Sequence, residues 1–453
     1  MGMRRRKESR EQDLWVVTDQ LARAPGHVFY RKLNELLAEH DFDRFVEDLC
    51  LPFYEPTGSG RPSIPPGVFF RMLFVGYFEG IDSQRGIAWR CEDSLSLREF
   101  LGIALNESTP DHSTMTGIRK RLPQEIFDQV FGFVLDLAAK KKLLGGKTVA
   151  VDSTTLEANA AMKSIVRKDT GEDYKQYLTK LAKDAGIEDP SDEDLRRFDK
   201  KRKDKTTSND DWQSPTDPDA QITKMKDGRT HLAYKAEHVI DVESEFLLHA
   251  AVHPATASDA ETLVDSVMNA EANLQSADSC MSVTEVVADK GYHKGSTIEL
   301  CDHFGVRTYI PEPLRPHGSR WTDKPEEIKR AVINNRQRMS RSKGRAYQRL
   351  RSERVERSFA HVCDTGGARR TWLRGLANVS KRYLMAAAAH NLGLVMRKLF
   401  GVGKPRGLRA AFGLADLLCL AIRSMMRLPE AIRQQQVPRN TLKLETVSWA
   451  LVG

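Results

Sequence analysis

Asp152 and Asp289 each stand at the end of a short apolar run. Thr148-Val-Ala-Val leads into the first, and Thr284-Glu-Val-Val-Ala into the second. Such runs read as buried strands, and ligands of α/β sheets gather at strand ends. Two carboxylates brought together there repel and raise each other's pKa. A divalent cation resolves that conflict. Mg²⁺ (or Mn²⁺) takes a few carboxylate oxygens and keeps its other positions for water and phosphate oxygens. A pair of such ions can activate an attacking oxygen and stabilise a leaving one in phosphoryl transfer. The third carboxylate is expected from an arginine-rich segment, where Glu353 and Glu356 lie three apart on a shared helical face. Arg349 and Arg357 flank Glu353 at helical spacing and can neutralise it as surface pairs. Ser352 and Ala360 occupy those positions around Glu356, which leaves its charge free for metal.

Other side chains with chemical potential are expected to be structural. Asp259 and Glu261 precede a helical stretch; they could join the acids but read as helix-capping residues. His231, His238, His249 and His253 crowd two strands with no cysteine nearby, and read as surface or cap histidines rather than a zinc site. Trp321 and Trp372 could stack on a base but read as core. Cys50, Cys91, Cys280, Cys301, Cys363 and Cys419 include no C-x-x-C pair, which argues against a zinc ribbon or a disulfide framework.

The elements that must hold the acids follow from the pattern around them. From about 14 to 145 the chain reads as helical: Pro65-Pro66 can open a helix with Val68, Phe69, Met72, Val75 and Phe78 at helical spacing, closed by Gly80. Asp111 or Ser113 is placed to cap a helix that ends in Arg119, Lys120 and Arg121. Beyond Gly145-Gly146 strands begin. Residues 163–227 are highly charged and poor in apolar residues, and read as an insertion, partly helical around Tyr174 to Leu181 and partly mobile. Strands at 231–240, 246–252 and 306–310, and helices at 260–274 and 297–303, complete a mixed sheet with helices on its faces. A packed helix is expected from Tyr383 to Leu399. The net charge of +8 suits a polyanionic partner, and its distribution says more, because nine basic residues between Arg336 and Arg357 lead directly into Glu356. No stretch approaches the ~20 apolar residues of a membrane span, and no signal peptide is evident, so an intracellular, soluble protein is expected.

Several of these segments together resemble the DDE transposases of bacterial insertion sequences. Val151-Asp152-Ser-Thr-Thr-Leu-Glu-Ala-Asn-Ala is similar to their first acidic motif, Ala288-Asp289-Lys-Gly-Tyr292 to the second, and Arg354-Val-Glu356-Arg-Ser-Phe359 to the third, with Tyr347 upstream. Pro110-Asp-His-Ser-Thr and Thr371-Trp-Leu-Arg-Gly-Leu with Asn391-Leu extend the likeness over roughly residues 30–400. The signature departs at Ser352, where an arginine is usual and Arg351 or Arg349 can substitute, and at Cys363, where a lysine is usual.

The resemblance implies an RNase H-like α/β fold: residues 1–145 as an N-terminal helical, DNA-binding domain, 146–400 as the catalytic domain interrupted by the insertion, and 401–453 as a helical tail. It implies Asp152, Asp289 and Glu356 as catalytic metal ligands for two Mg²⁺ or Mn²⁺ ions. Arg345, Arg349, Arg351, Arg354, Arg357, Lys290, Tyr292, Arg119 and Lys120 are then the expected DNA contacts. The implied activity is cleavage of double-stranded DNA at an element's inverted-repeat ends and transfer of the freed 3′-OH into target DNA, by a homodimer in the bacterial cytoplasm at the nucleoid. A nuclease that hydrolyses without joining, and a DNA-binding protein derived from a transposase, are the competing expectations.

Overall fold

Pro66 opens α3 (Pro66–Glu79) at a position where a missing N–H costs nothing, and Gly80 closes it in the left-handed region at φ 70°. Between them nearly every side chain is buried, so α3 has no polar face and forms the axis of an all-helical region. The computed structural model describes residues 25–405, apart from 56–62, 204–207, 226–227, 279 and 315–323. Trp321, Cys419 and nearly all of the expected C-terminal tail lie outside the described residues. Around α3 pack α1 (Pro25–Glu39), α2 (Phe42–Cys50), α4 (Gln84–Glu92) and α5 (Leu95–Leu101); α6 (His112–Arg121) and α7 (Gln124–Lys140) follow. Phe29, Phe42, Phe69, Phe70, Phe74 and Phe127 are fully buried there, each contributing about 2–3 kcal/mol of apolar burial. Asp111 caps α6, its carboxylate accepting from the Thr114 N–H at 2.8 Å.

The sheet begins with β1 (Thr148–Glu157). The apolar run suggests a strand that stops at Asp152, but it continues five residues further because β5 (Thr230–Asp241) pairs with it antiparallel along that whole length. β2 (Val166–Arg167), α8 (Tyr174–Asp184), α9 (Asp192–Lys201), β3 (Trp212–Gln213) and β4 (Gln221–Lys224) lie between them. The insertion is therefore folded well beyond the helix expected around Tyr174 to Leu181. It builds a small core from Leu178, Ala182 and Leu195, with Tyr174, Ile187 and Phe198 against it. The Trp212 ring is flanked by Tyr174, Tyr177 and the Arg167 guanidinium. Charge hid this core from composition, since only a few apolar residues make it.

β6 (Leu247–Pro254) pairs antiparallel with the outer edge of β5, which β4 also meets near its start. β7 (Glu285–Val287) runs parallel to β1, and β8 (Arg307–Tyr309) parallel to β7. The resulting order β6-β5-β1-β7-β8, three strands antiparallel and two parallel, is an RNase H-like sheet. Val149, Ala150 and Val151 are all buried, because helices cover both faces. α10 (Asp259–Ala277) lies on one face; α12 (Glu326–Ser340) and α13 (Ser342–Phe359) follow α11 (Gly295–His303) and β8, and α13 lies on the other face. A π-helical turn (Ala360–Thr365) leads towards α14 (Leu376–Phe400), whose buried residues run from Val379 to Met396. α14 packs on β6, α3 and α7, joining the helical region to the sheet. Its Asn391 amide grips Leu247 at the β5–β6 irregularity, accepting from the Leu247 N–H at 3.0 Å and donating to its carbonyl at 2.8 Å.

Candidate active site

Ala150 of β1 lies opposite Val287 of β7 in the parallel register, and there the pairing of these two strands ends. Asp152 and Asp289 each come two residues after that last pair, so the register itself brings both acids to one edge of the sheet. Asp152 sits opposite His238 of β5, on the α13 face; the next pair, Ser153 and Glu237, turns to the α10 face. Burial pushes the Asp152 carboxyl up, Arg351 pulls it down, and the nearby Asp289 raises it further. Asp152 Oδ1 accepts from the Ser153 N–H at 2.8 Å, and Oδ2 accepts from Arg351 Nη1 at 2.7 Å.

Asp289 caps a single 3-10 turn (Lys290–Tyr292), its Oδ1 accepting from the Gly291 N–H at 2.7 Å. A Cβ at Gly291 would stand 3.0 Å from both Asp289 Oδ1 and Asp259 Oδ2, so glycine is what lets these two carboxylates flank the turn. Asp259 and Glu261 stand in the first turn of α10, after Ser258 at the cap position, as acids at a helix start do; Asp259 Oδ1 also accepts from Ser153 Oγ at 2.9 Å and pairs with Lys235 Nζ at 2.7 Å. Lys235 is 5% exposed and also donates to the Ala257 carbonyl. Glu237, on the same face of β5, is fully buried and accepts from Thr262, Ser266 and the Tyr292 hydroxyl. Lys235 and Glu237 alternate with the buried apolar residues Tyr234 and Ala236 in β5, and that alternation was the sequence signal for a buried polar layer behind the acids.

α13 is held by a series of contacts along its length. At its N-terminal end Lys343 and Tyr347 donate to Glu285, the first residue of β7, which also accepts from Thr148 and Tyr309. Gln348 donates to the Ala288 and Tyr309 carbonyls at the strand ends. Further along, Ser358 Oγ donates to the Val355 carbonyl and lies 2.8 Å from His238 Nδ1, while Tyr383 OH lies 2.7 Å from His238 Nε2. Burial holds His238 well below the usual histidine pKa, so it is neutral; it is a core histidine stacked on Phe359, not a surface one. The ring takes a proton donor on one side and an acceptor on the other.

Between these anchors, Arg345, Arg349, Ser352 and Glu356 follow one another at spacings of four and three and form a stripe along one side of the helix. Arg345, Arg349 and Glu356 are exposed. Ser352 Oγ donates to Glu356 Oε1 at 3.3 Å. Among the described residues neither Asp152 nor Asp289 contacts Glu356, and no three His, Cys, Asp or Glu side chains are gathered as a metal-ligand set. Glu353 pairs with Arg357, as its spacing suggests.

The expected DNA contacts separate by burial. Lys290, Lys120, Arg345 and Arg349 are exposed. Arg351 is turned inward onto Asp152. Arg354 and Arg357 are tied to the β5–β6 hairpin through the Glu243 carbonyl and the Glu245 carboxylate. Arg119 and Tyr292 are corrections: both are buried, Arg119 bonding Asn378 of α14 and Tyr292 bonding Glu237, because helix and turn direct them into the core. Trp372 is also a correction, being 46% exposed rather than core; its indole donates to Asp82 and Arg370 lies over its ring.

A mixed sheet of this order, with helices on both faces, is the fold of RNase H-like proteins. Residues 17–121 match the family described as Transposase domain (DUF772). Residues 145–392 match the Transposase DDE domain, and the chain belongs to that transposase family. No curated protein matches the chain. Among the described residues no helix is long and apolar enough to cross a membrane.

Proposed function

We propose that this transposase cuts double-stranded DNA at the inverted-repeat ends of its element and joins the freed 3′-OH to target DNA, with Asp152, Asp289 and Glu356 as the metal-holding acids. The observation that carries this reading is the matched offset of Asp152 and Asp289 beyond the Ala150–Val287 pair. Carboxylate oxygens are the donors that Mg²⁺ and Mn²⁺ select, and the mutual repulsion of Asp152 and Asp289 is the electrostatic reason to bind one. When bound, such ions activate the attacking oxygen and stabilise the leaving one. Lys235 and Ser153 steady Asp259 behind the acids, and the Gly291 turn presents Asp289. Arg345, Arg349, Lys290 and Lys120 hold backbone phosphates. Two ends must be joined, so the working form is a dimer on DNA, acting in the bacterial cytoplasm at the nucleoid.

The test is incubation of the chain with end-containing DNA, target plasmid and Mg²⁺ or Mn²⁺. Nicked ends and joined products are expected from the wild type and from neither Asp152→Ala nor Asp289→Ala. Cutting without joined products would make the protein a hydrolytic nuclease; salt-sensitive binding without cutting would leave it a DNA-binding protein only.

A further inference from the structure

Both oxygens of Asp152 are engaged: Oδ1 by the Ser153 N–H and Oδ2 by the Arg351 guanidinium. The Arg351 pair is largely enclosed, its side chains 13% and 24% exposed. Arg351 Nε is buried with no partner among the described residues, so the single contact to Asp152 sets how the guanidinium lies. The helix beneath cannot shift easily, since Gln348 on one side and Ser358 on the other bind the sheet and its carbonyls. The side chain can. Of the arginines on α13, Arg354 and Arg357 are held at the hairpin, while Arg345 and Arg349 face solvent.

We propose that Arg351 is a latch whose release by a divalent cation couples cation binding to DNA binding. A guanidinium relieves the repulsion between Asp152 and Asp289 with one charge; a divalent cation does so with two and competes for the same Oδ2. Once displaced, the guanidinium cannot remain beside the cation. It turns outward to the exposed arginine stripe, where a phosphate offers the two parallel acceptors its fork needs. Because coupling is reciprocal, DNA that captures Arg351 also makes Asp152 a better cation ligand. The proposal rests on Asp152 being a cation ligand.

The experiment uses the full chain and two binding measurements: Mn²⁺ titrated calorimetrically without DNA, and anisotropy of a pre-cut end duplex with Mn²⁺ or with chelator. For the wild type, Mn²⁺ tightens DNA binding about 5–10-fold. Arg351→Gln binds Mn²⁺ about 5–10-fold more tightly without DNA and loses the DNA gain. Arg351→Lys keeps the charge and retains part of the gain, which also shows that the position tolerates substitution. Arg349→Gln weakens DNA binding but keeps the gain. Unchanged or weaker Mn²⁺ binding by Arg351→Gln, or a retained gain, overturns the latch while leaving the acids' role intact. No Mn²⁺ binding by the wild type overturns both.

Discussion

Glu285 ties the arginine-rich helix to the sheet, and removing its charge is a quantitative test of that tie. Burial alone would raise its pKa, but donors from Lys343, Tyr347, Thr148 and Tyr309 override it and hold the carboxyl at about 2, against an ordinary 4.5. That difference corresponds to about 3.5 kcal/mol at ~1.4 kcal/mol per pKa unit. Lys343 is half exposed, so solvent screens its share and about 2 kcal/mol remains. A depressed carboxyl stabilises the fold fully above its unfolded pKa and loses that contribution as pH falls from about 4.5 towards 2. Glu285→Gln should therefore cost about 2 kcal/mol at pH 7 and flatten the acid limb of stability in that window. Urea unfolding of both proteins at several pH values reads this directly. An unchanged slope, with the wild type losing no more stability than the variant between pH 5 and 3, would refute the reasoning. Cleavage should fall as well, because α13 carries Glu356 and is held at its N-terminal end through Glu285.

Further outcomes follow from single side chains. Gly291→Ala places a methyl 3.0 Å from the Asp259 and Asp289 oxygens, and should lower cleavage at least about 10-fold while shifting stability by less than about 1 kcal/mol; calorimetric melting and a nicking assay separate the two. Asn391→Ala leaves the buried Leu247 N–H and carbonyl unpaired, and should cost about 2–3 kcal/mol in denaturant unfolding. Arg349→Ala should weaken binding of all duplexes and reduce the slope of log affinity against log salt by about 1, whereas Arg119→Ala should leave that slope unchanged and destabilise the fold instead.

Much of the architecture was legible because its cause is local. Pro66 and Gly80 bound α3, Asp111 caps α6, and the apolar runs before Asp152 and Asp289 are strands because both sheet faces are covered. What was not legible depends on pairing partners distant in sequence. The length of β1 is set by β5, and the insertion folds around a core too small to show in its composition. Lys120 and Arg119 are adjacent in sequence, yet one faces solvent and the other Asn378, because α14 packs on α6 from 259 residues away. Among the acids, spacing anticipated the Glu353–Arg357 pair. Spacing could not show that Arg351 would turn inward, since only the fold puts α13 over β1.

The assignment of Asp152, Asp289 and Glu356 is tested most directly by one parallel cleavage assay on end-containing DNA with Mn²⁺. Asp152→Asn, Asp289→Asn and Glu356→Gln should each abolish nicking while melting like the wild type, and Glu353→Gln should cut normally. Activity surviving in any of the first three, or lost in Glu353→Gln instead of Glu356→Gln, would contradict it.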